Sequence, residues 1–72
     1  MNKDIDTVGL RCPEPLMVVR REMRNLSNGD TLTVKADDPS TDRDFELLCT
    51  HMGYKMLKKD LKGPVLSFVM QK

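Results

Sequence analysis

The sequence predicts a two-layer α/β sandwich of the α+β kind, β-α-β-α-β-β, whose four-stranded mixed sheet carries two helices on one face. Three observations point to it. Thr31 to Ala36 alternates cleanly, with Leu32, Val34 and Ala36 on one face and Thr31, Thr33 and Lys35 on the other, as a half-buried strand does. From Pro13 to Leu26, the residues Leu16, Val19, Met23 and Leu26 fall at helical spacing, and Arg20, Arg21 and Arg24 lie mostly on the outer face. Turn chemistry cuts the rest into short pieces, and right-handed β-α-β crossovers place both helices on the same side of the sheet.

The elements follow in order. Asp4 to Val8 alternates polar and apolar, with β-branched Ile5, Thr7 and Val8, and reads as a first strand ended by Gly9. The helix from Pro13 stops at Ser27-Asn28-Gly29-Asp30, the Asn/Gly chemistry of a helix C-terminus. After the Thr31–Ala36 strand, Asp37-Asp38-Pro39-Ser40 turns into a second helix that begins near Pro39 or Thr41. Asp42 and Asp44 in its first turn suit the positive end of the helix dipole. Thr41, Phe45, Leu48, Cys49 and Met52 make its buried stripe, and Gly53 closes it. Tyr54 to Lys59 and Val65 to Gln71 form a hairpin around Asp60-Leu61-Lys62-Gly63-Pro64, with Leu66, Phe68 and Met70 on one face of the last strand. The opposite sheet face, with Thr31, Thr33, Lys35 and Ser67, is semi-polar and open to solvent or a partner.

The 72 residues allow one small domain, residues 1–72. A chain near 60 residues buries only roughly 60% of its unfolded surface, so the apolar residues are needed for the core and chemistry must happen at the surface. Twelve Lys and Arg against eleven Asp and Glu give a net charge of +1, which argues against a polyanion binder and against stable nucleic-acid binding. With one Tyr and two Phe, both Phe expected in the core, there is no stacking platform for single-stranded RNA. Unbroken apolar runs reach four residues at most, far from the ~20 that span a bilayer. The opening MNKDIDTVGLRC has no apolar signal-peptide region, so a cytoplasmic protein without a membrane role is expected. The six methionines read as core filler.

Cys12 and Cys49 are too few for a secreted disulfide scaffold, no C-x-x-C is present, and two free thiols are expected. Cys12 lies between the first strand and the first helix, where α/β sheets present reactive groups. Cys12-Pro13-Glu14-Pro15 makes Cys12 the expected N-cap, with Pro13 at N1. The helix dipole and the adjacent Arg11 favour a thiolate there. Against them, Pro15 at N3 lacks an N–H and the Glu14 carboxylate opposes negative charge, so the expected pKa is only somewhat below that of a free thiol. The plainer reading makes Cys12 a small half-buried cap. Cys49 shares the apolar stripe of the second helix and reads as core. Cys49-x-His51 offers two metal ligands where a closed zinc site needs four, and a Cys-His dyad lacks an oxyanion hole or an orienting residue. His51 is therefore placed on the surface, with neither metal nor cofactor expected. Asp42 and Asp44 read as a capped, solvated turn. Asp37 and Asp38, at the end of a central strand on the same edge as Cys12, are candidates for orienting Arg11 or Arg43 or for touching a partner.

Gly9-Leu10-Arg11-Cys12-Pro13-Glu14-Pro15, followed by a helix, resembles the signature of the TusA (SirA-like) family of small sulfur-carrier proteins. Ala36-Asp37-Asp38-Pro39, the Arg43-Asp44 pair, and Phe45 with Leu48-Cys49-Thr50 extend the likeness over nearly the whole chain and toward the TusA branch itself. The main departure is a shorter lead before the first strand. The resemblance implies the two-layer sandwich and a sulfurtransferase acting as a persulfide carrier. In that family the motif cysteine takes sulfane sulfur from a cysteine desulfurase and hands it to downstream relay proteins. The relay ends in 2-thiolation of the tRNA wobble uridine, and some members feed molybdenum-cofactor or other sulfur pathways. The acceptor maps to Cys12, the turn-shaping residues to Pro13, Glu14 and Pro15, the acidic-loop Asp to Asp37 or Asp38, and the arginine to Arg43.

The alternative is a non-catalytic RNA- or protein-binding module of the same fold, suggested by the family's likeness to the C-terminal domain of a translation initiation factor. In that reading Cys12 is structural. A peroxide-sensing cysteine ranks last, because it needs a resolving thiol and the chain offers only Cys49. A monomer meeting its partners transiently is expected, with Arg11, Glu14, Arg43 and the first helix as docking surface.

Overall fold

The computed structural model describes all residues, 1–72. Six elements follow in the predicted order: β1 (Asn2–Asp6), α1 (Glu14–Arg24), β2 (Thr31–Ala36), α2 (Thr41–Met52), β3 (Lys55–Asp60) and β4 (Leu66–Gln71). The strands form one mixed sheet in the order β1-β2-β4-β3. β1 runs parallel to β2, with Ile5 opposite Val34, and β4 is antiparallel to both β2 and β3, with Val34 opposite Phe68 and Leu32 opposite Met70. Both crossovers carry a helix, and both helices contribute to one core on one side of the sheet.

That core is built from Val19, Met23 and Leu26 of the α1 side, Phe45, Leu48 and Cys49 of α2, Leu32, Val34 and Ala36 of β2, and Phe68 and Met70 of β4. Phe45 and Phe68 meet edge to face, with ring centroids 4.9 Å apart at 84°, which ties α2 to the middle of the sheet. β3 is an edge strand, almost wholly exposed, with Lys55, Lys58 and Lys59 along it and a bulge between Met56 and Lys58. Charged residues and bulges discourage edge-to-edge pairing. No helix is long and apolar enough to cross a membrane.

Several boundaries differ from those expected. β1 covers Asn2–Asp6, not Asp4–Val8, because Thr7 and Val8 belong to a turn. The Thr7 N–H and hydroxyl both donate to the Lys35 carbonyl (2.8 and 2.7 Å), Val8 N–H donates to the Asp6 carboxylate at 2.9 Å, and Gly9 takes φ +93°. The first helix is shorter than Pro13–Leu26 at both ends. β3 and β4 each start one residue later than read, at Lys55 and Leu66. Met52 is 53% exposed, outside the buried stripe of α2, and Gly53 ends that helix in the left-handed region as expected. Of the methionines only Met23 and Met70 are in the core, and Met56 packs against it. Met1, Met17 and Met52 are exposed.

The chain ends are fastened together. The Met1 ammonium lies 3.1 Å from the Asp30 carboxylate, and the Lys72 N–H donates to the Asp30 carbonyl at 2.9 Å. Lys72 Nζ donates to the Leu26 carbonyl (2.7 Å), supplying a cation beyond the C-terminus of α1.

Because Phe45 fills the junction of α2 with the sheet, Phe45→Ala is expected to cost about 3–5 kcal/mol, a large share of a small domain's stability. Urea unfolding followed by circular dichroism measures it.

Candidate functional site

The parallel pairing of β1 with β2 brings the C-terminal ends of both strands to the same edge of the sheet. The loop after β1 carries Cys12, and the loop after β2 carries Asp37 and Asp38. The two carboxylates grip the Cys12 loop. Asp37 Oδ1 accepts from the Gly9 N–H (3.0 Å) and from Arg11 Nη1 (2.7 Å), and the same Arg11 nitrogen donates to the Leu10 carbonyl at 3.0 Å. Asp38 Oδ2 accepts from the Cys12 N–H at 2.8 Å. Asp38 Oδ1 accepts from the Ser40 N–H and hydroxyl (3.1 and 3.0 Å), and the Asp38 carbonyl accepts from the Thr41 hydroxyl at 2.7 Å. The same residue therefore starts α2 and holds the backbone of Cys12.

These bonds favour the ionised carboxylates. The Gly9 N–H first, and then Arg11, lower the pKa of Asp37. The Cys12 N–H first, and then Ser40, lower that of Asp38.

Cys12 is exposed, and its sulfur meets the carboxylate of Asp44 on α2, with Sγ 3.4 Å from Oδ2. The expected N-cap position is corrected by one residue. Pro13 is the N-cap of α1, without a side-chain capping bond, and Glu14 begins the helix with Pro15 next, so Cys12 precedes the cap. The Cys12–Pro13 peptide bond is cis. The expected drop in thiol pKa is also corrected: it is raised. The hydrogen bond to Asp44 is the main cause, and partial desolvation and the negative charges of Asp44 and Asp38 add to it against an opposing contribution from Ser40. The cation that was expected to lower the pKa, Arg11, is bound to Asp37 instead.

The other predicted residues are placed as follows. Pro15 is buried under the start of α1, while Pro13 and Glu14 are exposed beside Cys12, and the Glu14 N–H donates to the Arg11 carbonyl at 2.9 Å. Arg43 is exposed on the first turn of α2 and makes no ion pair with the cluster, so of the two candidate arginines only Arg11 is oriented by the acidic loop. Cys49 is 5% exposed in the core, and burial pushes its thiol up to about 11, which keeps it unreactive. His51 is exposed near the end of α2.

Sequence reasoning missed Asp44, which it assigned to a solvated turn, and Ser40. Both stand at the start of α2, Ser40 as its N-cap and Asp44 one turn further on. The available signal was that one-turn spacing, together with a loop short enough to keep the first turn of α2 beside Asp38. Near Cys12 an open groove between the helices is lined by Leu16, Arg20, Asp44, Leu47, His51 and Met52 among others. The result is one outward thiol on a loop held by backbone hydrogen bonds, while the second thiol is buried in the core. Such a group can take up and give away an atom at the surface.

Comparison with known proteins agrees with this architecture. The crystal structure of a SirA-like protein from Desulfitobacterium hafniense superposes with a TM-score of 0.84 at 21% identity, covering 96% of this chain and 95% of that one. At that identity the likeness establishes the fold. The family model for sulfurtransferase TusA matches residues 3–72, a span that includes the Cys12 loop, both acidic residues that hold it and the whole sheet except the first residue of β1. The chain therefore belongs to the TusA family of sulfur-carrying sulfurtransferases.

Proposed function

We propose that residues 1–72 act as a single-domain persulfide carrier, which takes sulfane sulfur from a cysteine desulfurase on Cys12 and delivers it to a downstream sulfur-relay protein. The pathway it best fits is 2-thiolation of the tRNA wobble uridine in the cytoplasm, with the carrier a monomer that meets donor and acceptor in turn. The observation that carries this reading is an exposed cysteine whose backbone is fixed by Asp38 while its sulfur stays accessible.

The chemistry is a thiol exchange. The Cys12 thiolate attacks the terminal sulfur of the donor's persulfide. The donor S–S bond breaks, its cysteine leaves as a thiolate that takes up the proton lost by Cys12, and a new S–S bond forms on Cys12. No net oxidation occurs, so neither metal nor cofactor is required. Delivery is the same exchange in reverse, with the acceptor's thiolate as nucleophile. Fixing the loop matters because the three sulfurs must line up. Arg11 and Asp37 hold the approach to Cys12, Pro13 and Pro15 stiffen its far side, and Glu14 and Arg43 lie exposed where a partner would sit.

Intact mass after incubation with a cysteine desulfurase and cysteine, without reductant, is the direct test. One added sulfur, removable by thiol, is expected on wild type and Cys49→Ser and not on Cys12→Ser. No addition to wild type beside an active desulfurase would leave the fold in place and favour the binding-module alternative. Asp38→Ala removes the acceptor of the Cys12 N–H and is expected to slow sulfur uptake by roughly 10- to 100-fold. Its cost in folding stability is about 1–2 kcal/mol, read by urea titration. Charge reversal at Arg20 or Arg24, exposed on α1, should weaken uptake and change its dependence on salt in a stopped-flow or quench assay. Unchanged rates would remove α1 from the docking surface.

A further inference from the structure

Asp44 is a carboxylate with an unusual set of neighbours. Its Oδ2 accepts from the Cys12 thiol, and neither of its oxygens forms an ion pair, although five ion pairs hold other acidic groups of the chain. The groups facing Cys12 come from every element around it. Asp38 reaches it from the β2–α2 loop and Asp44 from α2, with Arg11 beside it in its own loop and Glu14 at the start of α1. Arg11 is bound to Asp37. Arg20 and His51 line the same groove as Asp44, but neither comes within ion-pair distance of it, and Arg43 does not either. The exposed thiol thus has two carboxylates beside it, and one of them, Asp44, has no cation partner within this chain.

We propose that Asp44 is a positioning residue that holds Cys12 as a neutral thiol in the free carrier, and that its open carboxylate receives a cation from the sulfur-donating protein. The second half rests on the carrier reading above. A carboxylate beside a thiol stabilises S–H by accepting its proton in a hydrogen bond and destabilises S⁻ by repulsion. The same carboxylate, partly buried at the mouth of a groove, is left wanting a positive partner. An arginine or lysine on the donor supplies one, and by pairing with Asp44 it withdraws the acceptor from the thiol and cancels the repulsion. The nucleophile then appears where the donor persulfide lies and not before. In the free protein the thiol is poorly reactive toward alkylating agents and peroxide, both of which attack the thiolate.

Asp44→Asn keeps the shape and removes the charge, and Asp44→Glu restores the charge on a longer arm. The side chain makes no other hydrogen bond within the fold, so both variants are expected to fold, as circular dichroism will report. The first measurement is the rate of iodoacetamide addition at Cys12 against pH, read on the Cys12 peptide by mass so that Cys49 does not contribute. In Asp44→Asn the profile is expected to move to lower pH, with the rate at pH 7 rising severalfold, and Asp44→Glu is expected to return toward wild type. The second measurement is sulfur uptake from a cysteine desulfurase at varied carrier concentration. There the half-saturating concentration of Asp44→Asn is expected to rise severalfold, so the variant becomes more reactive to a small reagent and weaker toward the donor. A merely structural role would not move the two in opposite senses. An unmoved alkylation profile would overturn the role in holding the thiol, and an unmoved half-saturating concentration would overturn the cation contact. Wild type that takes up no sulfur would overturn the carrier reading and the contact with it, while alkylation would still decide what Asp44 does to the thiol.

Discussion

The grip of two adjacent carboxylates on a neighbouring loop organises this molecule. Asp37 and Asp38 leave the end of β2 and bind Gly9, Arg11 and Cys12, residues 26 to 28 positions away in the chain. The grip exists only because β1 and β2 run parallel and finish at one edge. Parallel pairing in turn needs a crossover helix, and α1 earns its place by burying Val19 and Met23 on the sheet. Core, topology and thiol are thus linked in one direction. The apolar residues set the strand order, the strand order sets which loops meet, and the meeting of loops fixes the sulfur. A domain this small has no interior to spare for a site. It solves the problem by ordering a surface loop with backbone-directed hydrogen bonds, which limit the conformational freedom otherwise lost when a partner engages.

The electrostatics of that loop run opposite to those of many reactive cysteines, which gain acidity from helix N-termini and nearby cations. Here the cap position passes to Pro13 and the cation is held by Asp37, so carboxylates dominate around the sulfur. A thiol of higher pKa is a better nucleophile once ionised but is ionised less often. That balance suits a group meant to react with a chosen partner and to be left alone in between. The contrast with Cys49 separates two ways of raising a thiol's pKa: burial does it for Cys49, and for the exposed Cys12 the hydrogen bond to Asp44 is the main cause.

Much of this was legible in the sequence, for definable reasons. The limits of β2 coincide with the predicted Thr31–Ala36, because a central strand buried on one face has the cleanest alternation. Gly53 marks the end of α2 because the chain there needs the left-handed region. The exposure of Cys12 follows from its place between strand and helix. Legibility failed where other contacts overrode the local pattern. Thr7 and Val8 are β-branched and look like strand, yet the Leu10 N–H closes a turn on the Thr7 carbonyl and the Asp6 carboxylate takes the Val8 N–H. Met52 keeps the helical spacing of the α2 stripe but lies beyond the reach of the sheet's core. The sign of the Cys12 pKa shift depends on Asp44, 32 residues away, and on Asp37 taking Arg11, neither of which local spacing reveals.

The fastening of both chain ends to Asp30 has a practical meaning. Residues 30 and 31 lie at the start of β2, whereas the Cys12 loop meets the residues just beyond its end, so the termini and the thiol occupy opposite poles of the sheet. A tag, a surface tether or a second protein joined at either end would therefore project away from the reactive sulfur. The proximity of the ends also makes the fold a natural candidate for circular permutation, or for insertion into a loop of another protein, with the thiol still presented outward.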